Sequence, residues 1–288
     1  MAIDSEKETA VAPIALGPFD AACLRGGLSL SQEMGWPYRL EDWAFAAQLG
    51  EGLVLVRAGE VIGTAMSWQY GADFASVGMI IVTASAQRGG NGSRLFDGLL
   101  SALEGRNILL NSTDEGMALY QRRGFVPFGR VHQHQGVPTA SFENNKQEGI
   151  RPAAAADLSA IQAFDQRATG LSRPSMVAAL CGVGDTLVLE RAGRLAGYAI
   201  ARRFGRGYVI GPCAAESAEN ARRLIQAQLA TLQREFVRID VYAKDGLSGW
   251  LEEIGLKQVS QAVAMVRGRP PESDGAATMF ALANQSFG

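Results

Sequence analysis

Three glycines lie within four positions in the first third of the chain, at Gly89, Gly90 and Gly92. Glycine has no Cβ and adopts positive φ readily, so this segment can approach a ligand closely and turn successive N–H groups into one concavity. A short apolar run at residues 79–82 predicts a buried strand before the glycines. An apolar stripe at helical spacing follows them, formed by Leu95, Phe96, Leu99, Leu100 and Leu103. A strand, a glycine turn and a helix N-terminus together predict a pyrophosphate site.

The glycine segment does not match two common phosphate loops. A Walker loop needs Gly-Lys-Ser/Thr after four intervening residues, and a dinucleotide fingerprint reads Gly-x-Gly-x-x-Gly with an acidic residue further on. The segment instead reads Gln87-x-x-Gly90-x-Gly92. It resembles the acyl-CoA pyrophosphate loop of the GNAT superfamily of N-acyltransferases.

A second motif lies about thirty residues further along the chain, where residues 119–125 read Leu-Tyr-Gln-Arg-Arg-Gly-Phe. It resembles the GNAT motif Leu-Tyr-x-x-x-Gly-Phe, and the two motifs have the order and spacing of that family. The resemblance implies that Tyr120 lies near the sulfur of coenzyme A and protonates the departing thiolate. A tyrosine pKa of about 10 makes it a proton donor at neutral pH. The alternative is a half-buried aromatic residue of the core.

The resemblance also implies the residues that bind the cosubstrate, which we expect to be acetyl-CoA without any metal. The strand is expected to splay from its neighbour and pair its backbone with the pantetheine amides. Backbone N–H groups of the loop are expected to bind the pyrophosphate. The residues so assigned are Ile80, Ile81, Val82, Gln87, Arg88, Gly89, Gly90, Asn91, Gly92 and Ser93. Arg88 and Arg94 are either phosphate ligands or solvated charges.

The acceptor site and the base are less well marked by the sequence. Trp36, Tyr38, Trp68 and Tyr70 fall in segments that line the acceptor groove in this fold, although each could equally be core. Asp73 is a further candidate for the acceptor site. An ammonium acceptor must lose a proton to a base or a water relay before it attacks. Glu33, Asp73, Asp114 and Glu115 are candidate bases, with a surface or capping role as the alternative for each.

His132 and His134 share one face of a predicted strand. They are the only two histidines, and no cysteine is near them, so a zinc site would need carboxylate or water ligands. We therefore expect no metal site.

Composition limits the class of protein. The 288 residues are 47% hydrophobic and 19% charged, with a formal net charge of −2, and we expect two domains. The chain lacks the excess of basic residues that is typical of nucleic-acid-binding proteins. No apolar run in the sequence reaches the length of a membrane span. Three scattered cysteines are typical of a reducing compartment, so we expect a soluble cytoplasmic protein. The sequence leaves a homodimer open.

An internal repeat defines the domain organisation. Residues 53–63, LVLVRAGEVIG, match residues 187–197, LVLERAGRLAG, at seven of eleven positions. A repeated hairpin predicts two copies of one α/β (α+β) fold, each a mixed sheet flanked by helices. We expect a disordered tail at residues 1–12, a catalytic domain at 13–142, a linker near 143–148 and a second domain at 150–288.

The second copy differs where the first copy binds phosphate. Aligning Leu95 with Leu224 places Glu216, Glu219 and Ala221 opposite the residues of the Gln-x-x-Gly-x-Gly pattern. Carboxylates there would repel a pyrophosphate, so we expect this domain to lack the cosubstrate site. The whole chain resembles a bacterial branch of the superfamily with two tandem domains. The segments that carry this resemblance include Gly35-Trp36-Pro37, residues 78–92, 112–120, 236–241, 265–268 and 280–285.

The resemblance implies an N-acetyltransferase that moves an acetyl group directly from acetyl-CoA to an amine. We expect a small-molecule amine rather than a protein lysine, and neither nucleic acid nor a membrane as partner. The second domain is expected to shape the acceptor site, since clefts between domains commonly bind ligands. The alternative is a non-catalytic acyl-CoA sensor or scaffold whose second domain is an interaction surface.

Overall fold

The computed structural model of the chain describes residues 12–140, 142 and 147–287. The eight helices of this described part are α1 (Leu24–Glu33), α2 (Leu40–Leu49), α3 (Asn91–Ala102), α4 (Met117–Gln121), α5 (Leu158–Thr169), α6 (Pro174–Val183), α7 (Ala218–Thr231) and α8 (Ser248–Glu253). The strands are β1 (Ile14–Pro18), β2 (Glu51–Arg57), β3 (Glu60–Tyr70), β4 (Phe74–Val82), β5 (Asn107–Ser112), β6 (Val126–Gly136), β7 (Ile150–Pro152), β8 (Asp185–Arg191), β9 (Arg194–Phe204), β10 (Gly207–Ala215), β11 (Val237–Tyr242), β12 (Lys257–Arg267) and β13 (Thr278–Ala281).

The thirteen strands form one continuous sheet in the order β1-β2-β3-β4-β5-β12-β6-β11-β13-β10-β9-β8-β7. Two pairs are parallel, β4 with β5 and β10 with β11. Each of these pairs is joined by a helix, α3 or α7, as a parallel connection requires. The predicted mixed α/β architecture is therefore confirmed.

The two halves of the chain exchange strands at the centre of the sheet. Strand β12, from the second half, pairs with β5 and β6 of the first half. Strand β6, from the first half, pairs in turn with β11 of the second half. The predicted boundary at 142–150 follows β6, but the sheet does not divide there. Neither half has a complete sheet without a strand of the other.

The predicted repeat is visible in backbone geometry. The β2–β3 turn has positive φ at Ala58 (52°) and Gly59 (83°), and the β8–β9 turn has positive φ at Ala192 (50°) and Gly193 (75°). A Cβ on Gly63 would lie 3.0 Å from Cδ1 of Leu95, and one on Gly197 would lie 3.0 Å from Cδ1 of Leu224. Leu95 and Leu224 are thus equivalent positions, as the sequence alignment assumed.

The hydrophobic core lies on both faces of the sheet. On one face each half has its own cluster, centred on α3 in the first half and on α7 in the second. On the opposite face a single cluster contains side chains from α1, α2, α5 and α6. The helices of both halves therefore share one core on this face.

The end of the chain returns to the first half. After β13, the C-terminal segment (residues 282–287) places Phe287 edge-on against Trp68, with ring centroids 4.9 Å apart. The carbonyl oxygen of Phe287 accepts hydrogen bonds from the Tyr70 hydroxyl (2.7 Å) and from Nη1 of Arg173 (2.9 Å). Phe287 is 1% exposed. The C-terminal segment is therefore part of the core of the first half.

Two predicted segments fall wholly or mostly outside the described residues. They are the tail, of which residues 1–11 are not described, and the linker, of which residues 143–146 are not described. At the start of the first half, a short 3-10 turn at Ala21–Cys23 leads into α1, which runs on to Glu33.

Candidate active site

Strands β4 and β5 separate partway along their length. Their parallel ladder runs from Phe74–Asn107 to Ser76–Leu109 and ends there. Beyond it β4 bulges, with a register shift against β3 and a φ of 50° at Met79. Thr64 stabilises the bulge by donating its hydroxyl to the Met79 carbonyl oxygen at 2.9 Å. The second half of β4, which contains Ile80, Ile81 and Val82, thus diverges from β5, as the family resemblance implies.

The glycine loop connects this diverging end of β4 to α3. A 3-10 turn at Ala84–Ala86 is followed by positive φ at Arg88 (65°) and Gly90 (75°). A Cβ at Gly90 would meet nothing within 4 Å, so its glycine is required by conformation rather than by space. Since α3 begins at Asn91, its first N–H groups have no partner within the helix and point into the loop. Exposed N–H groups at a helix N-terminus form an anion site.

Two side chains of the loop hold its shape. Nε2 of Gln87 donates to the Val82 carbonyl oxygen at 3.0 Å. Nδ2 of Asn91, which is buried, donates to the Ala86 carbonyl oxygen at 2.8 Å. Gln87 and Asn91 are therefore positioning residues for the N–H groups of the loop, while Arg88 and Gly89 are exposed. Arg94 donates to the Ile14 carbonyl oxygen at 3.0 Å.

Glu33, at the end of α1, fixes the start of the same loop. Its two carboxylate oxygens accept from the Ala84 N–H (2.7 Å) and the Thr83 hydroxyl (2.8 Å). The hydrogen bonds from Ala84 and then Thr83 lower the pKa of Glu33 below its ordinary value. An acidic, already hydrogen-bonded carboxylate is a poor proton acceptor, so this geometry favours a capping role over the role of base.

Tyr120 lies on α4 against two aromatic residues of the first half. Its ring meets Phe96 edge-on at 5.0 Å between centroids and Phe125 at 6.2 Å. Burial raises the pKa of Tyr120 to about 12. The phenol therefore keeps its proton at neutral pH. The ring contacts are those of a packed aromatic residue, and the role of proton donor stays a prediction.

A cavity of about 890 Å³ lies between the two halves, within the usual range for small-molecule sites. Its first-half wall includes Asn111 on β5, Met117 on α4 and Phe128 on β6. The second half contributes Tyr242 and Asp245. The C-terminal segment adds Gln285 and Ser286, and a Cβ on Gly78 would lie only 2.7 Å from Oγ of Ser286. The cavity thus reaches the point where β4 leaves β5.

The predicted acceptor residues do not line this cavity. Trp68 is 0% exposed and donates its Nε1–H to the Ala46 carbonyl oxygen at 3.0 Å. Tyr70 is 1% exposed, and its hydroxyl bonds to Ser76 and Phe287. The acceptor role predicted for both was wrong, because alternation along β3 places these large rings inside the core. Trp36 is half-buried beside Tyr38, at 6.1 Å between ring centroids.

The carboxylates proposed from the sequence lie elsewhere. Asp73 precedes β4, at the end opposite the glycine loop, and its side chain is 72% exposed near Arg269. Asp114 and Glu115 are exposed in the turn before α4. The structure brings none of these side chains into the lining of the cavity. Asp245, which the sequence analysis did not select, is the carboxylate that lines it.

Two strands of the second half also diverge, but another strand occupies the gap between them. Strand β10 pairs in parallel with β11 only at Tyr208 and Val209. Beyond that point β13 enters between them, pairing with Cys213–Ala215 of β10 and with Val241 of β11. The equivalent of the glycine turn is also changed, because α7 begins at Ala218 behind a Ser217 N-cap and Glu216 pairs with Arg194. The edge of β4 that remains available in the first half corresponds to an edge of β10 in the second half, and that edge pairs with β13.

The two histidines on β6 contact the segment from the start of α8 to the residue before β12 and do not line the cavity. Nδ1 of His132 lies 3.0 Å from the Ser248 hydroxyl, and Nδ1 of His134 lies 3.0 Å from the Leu256 carbonyl oxygen. Within the described residues, no group of three or more His, Cys, Asp or Glu side chains is arranged to hold a metal ion. No helix in the described part of the chain is long and apolar enough to cross a membrane.

Comparison with known proteins agrees with the duplicated architecture. Residues 39–144 and residues 161–281 each match a family described as an acetyltransferase (GNAT) domain. The chain belongs to the GNAT acyltransferases and contains two of their domains in tandem. It is an acyltransferase of the acetyl-transferring kind, and the family resemblance drawn from the glycine loop and the tyrosine motif is confirmed.

Several relatives match the chain over most of its length. The chain is 26% identical over 271 residues to YitH, an uncharacterized N-acetyltransferase of Bacillus subtilis, covering 91% of this chain and 94% of the relative. A putative acetyltransferase of Pyrococcus horikoshii has a TM-score of 0.79 at 19% identity, with 96% of each chain covered. A tandem GNAT protein from the clavulanic acid biosynthesis pathway has a TM-score of 0.63 at 14% identity, with 89% of this chain and 99% of that one covered. The two structures establish a common fold.

Proposed function

We propose that the first half binds acetyl-CoA and transfers its acetyl group directly to the amine of a small molecule held in the cavity between the halves. The observation that carries this proposal is the convergence of three features: the free edge of β4, the N–H cradle at α3 and the cavity between the halves. The cradle suits the pyrophosphate, and the edge of β4 suits the pantetheine amides. The thioester would then lie where the cavity meets the gap beside Gly78.

The acid step is assigned to Tyr120. The acceptor amine, after losing a proton to water, attacks the thioester carbonyl carbon, and the carbon–sulfur bond breaks to leave a thiolate. Tyr120 donates its phenolic proton to that sulfur, the amide nitrogen releases its extra proton to water, and the phenolate takes a proton back from water, which gives coenzyme A, the acetylated amine and the starting form of Tyr120. Because burial raises its pKa to about 12, the phenol is in its neutral, proton-donating form at neutral pH.

The lining of the cavity supports a small acceptor. β5, β6, the 3-10 turn after β11 and the C-terminal segment bound it, and Phe128 and Tyr242 supply aromatic walls. The cavity is partly open to solvent, since Phe128 is 40% exposed. The second half is thus proposed to contribute walls of the acceptor site while its own strand gap is closed by β13.

Calorimetric titration of acetyl-CoA into wild type and Gly90→Glu tests the placement of the cosubstrate. We expect one site per chain in wild type and loss of at least about 100-fold in affinity in Gly90→Glu, because a carboxylate would face the pyrophosphate. Gly193→Glu is the matched control. Gly193 has the same φ (75°) and equally open space, but it lies in the β8–β9 turn.

The outcomes separate the competing assignments. Loss of binding in Gly90→Glu with normal binding in Gly193→Glu supports the cradle in the first half. Two sites per chain, or undiminished binding in Gly90→Glu, would contradict it. Release of free thiol with an amine library then distinguishes a transferase from an acyl-CoA sensor, for which binding occurs without release.

A further inference from the structure

The C-terminal segment runs across the sheet from the second half to the first. At its start, the Leu282 N–H donates to the Asp240 carbonyl oxygen of β11 at 2.8 Å. Further on, the Gln285 carbonyl oxygen accepts from Nδ2 of Asn111, on β5, at 2.8 Å. Phe287 then packs against Trp68 of β3. Between Gln285 and Phe287 the segment must therefore pass over the gap that separates β5 from the diverging end of β4.

Ser286 is the residue at this crossing. On one side, Gln285 is bound to Asn111, which lies two positions beyond the last pair of β5 with β4. On the other side, a Cβ on Gly78 of β4 would lie 2.7 Å from Oγ and 3.3 Å from Cα of Ser286. Oδ1 of Asn284 accepts from the Ser286 N–H at 2.8 Å and so fixes the turn. The fold thus places the Ser286 hydroxyl over the gap.

Ser286 and Tyr120 lie on opposite faces of the sheet. Tyr120 packs against the cluster centred on α3, whereas Phe287, the neighbour of Ser286, belongs to the cluster on the other face. The cavity reaches both faces, because residues of both clusters line it: Leu110 and Val263 from the first, Met279 and Leu282 from the second. A thioester in the gap would therefore have Tyr120 on one side and Ser286 on the other.

The Ser286 hydroxyl can accept a hydrogen bond from a ligand. Ser286 lines the cavity and is 8% exposed. Burial raises the pKa of Tyr38, while the charge of Arg238 and then a hydrogen bond to Ser286 lower it. A hydrogen bond donated to the phenol oxygen has this effect on a phenol pKa. A serine that donates its proton to Tyr38 keeps two lone pairs, which are free to accept an N–H.

We propose that Ser286 binds the acceptor amine. Its oxygen accepts one N–H of the amine and directs the nitrogen lone pair to the thioester carbonyl carbon, from the face opposite Tyr120. The proton that the amine loses still goes to water, so Ser286 orients the nucleophile and is not the base. This inference rests on the proposed transferase function and adds to its site a residue from the end of the second half.

Ser286→Cys tests the position of this side chain without knowledge of the natural acceptor. After its thiol has lost a proton to water, the thiolate should attack the carbonyl carbon of bound acetyl-CoA. The thioester bond breaks, and coenzyme A leaves as a thiolate that Tyr120 protonates. We expect intact-mass spectrometry to show one acetyl group added per chain. Ser67→Cys, at a buried position of β3 outside the cavity, and wild type with its three native cysteines are the controls and should remain unmodified.

Ser286→Ala tests the contribution of the hydroxyl to turnover. With the best primary amine of the library as probe, kcat/KM should fall by about tenfold or more, the usual effect of losing one hydrogen bond to a ligand. The affinity for acetyl-CoA and the urea midpoint of unfolding should stay close to the wild-type values. Ser67→Ala is the matched control and should keep wild-type kcat/KM.

The other outcomes count against stated parts of the argument. Absence of acetylation in Ser286→Cys, when the variant binds acetyl-CoA with wild-type affinity, would overturn the placement of Ser286 beside the thioester. Wild-type kcat/KM in Ser286→Ala would overturn its role in binding the amine. A fall in kcat/KM matched by losses of acetyl-CoA affinity and stability would show a structural role instead. Absence of acetyl-CoA binding in wild type would overturn the transferase function on which the inference rests.

Discussion

Replacing Tyr120 by phenylalanine should lower kcat by about 100-fold or more, because general acid catalysis typically contributes a factor of 10² to 10⁴. The ring contacts with Phe96 and Phe125 do not involve the hydroxyl and should persist. The dissociation constant of acetyl-CoA should therefore change little. Thiol release at saturating amine measures kcat, and calorimetry measures the affinity. Tyr208→Phe on β10, outside the cavity, is the matched control.

The pH profile tests the same residue. Because burial raises the pKa of Tyr120 to about 12, its neutral form is stabilised by the fold and is lost only as pH rises through that value. Deprotonation of Tyr120 should therefore produce no fall in activity between pH 7 and about 10. A kcat for Tyr120→Phe within a few-fold of wild type would remove the acid role and leave Tyr120 as an aromatic core residue.

Replacing Arg173 by methionine should lower the free energy of unfolding by about 3–5 kcal/mol, the usual cost of leaving a buried charge without its partner. Arg173 and Asp165 are each 1% exposed and joined at 2.8 Å. The hydroxyl of Tyr198 also donates to Asp165, and Nη1 of Arg173 holds the Phe287 carbonyl oxygen. Burial alone would lower the pKa of Arg173, but the charge and hydrogen bonds of Asp165 outweigh it and raise that pKa.

Urea denaturation followed by fluorescence measures the loss, with Arg167→Met as control. Arg167 forms an ion pair with Asp274 in which the side chains are 44% and 42% exposed, so its removal should cost at most about 1 kcal/mol. Equal effects of the two substitutions would contradict a special contribution from burial. A loss of acetyl transfer in Arg173→Met beyond the unfolded fraction would further show that the anchored C-terminal segment supports the cavity.

The sequence predicts local elements of this protein well, because local physics determines them. The repeated hairpin appears as two turns with nearly identical backbone angles, at Ala58–Gly59 and Ala192–Gly193. The apolar stripe that includes Leu95 and Phe96 is the buried face of α3. The glycine turn also occurs where predicted, with positive φ at Gly90. Each of these features depends on spacing and backbone freedom within a few residues.

Features that join distant segments could not be predicted in this way. Polar residues such as Asn111 and Asp245 carry no periodic signal, and only the folded sheet places them in one cavity. The sequence predicts an acceptor role for Trp68 and Tyr70, whereas the structure places both in the core. A large aromatic residue in a strand gives the same sequence pattern whether it lies in a core or lines a groove. Strands β6 and β12 are far apart in the sequence and pair with each other. Hydrophobic alternation predicts a strand but does not specify which distant strand it pairs with.

The exchanged strands also constrain how the protein can be made. The β4 edge and the glycine loop leave the ribosome well before β12, the strand that pairs with β5. They also leave it long before Phe287, which packs against Trp68 in the core. Until β12 has been synthesised, one side of β5 in the nascent first half is therefore unpaired. Unpaired strand edges promote association with other chains. The first half therefore completes its sheet and its side of the cavity only after the second half has been translated.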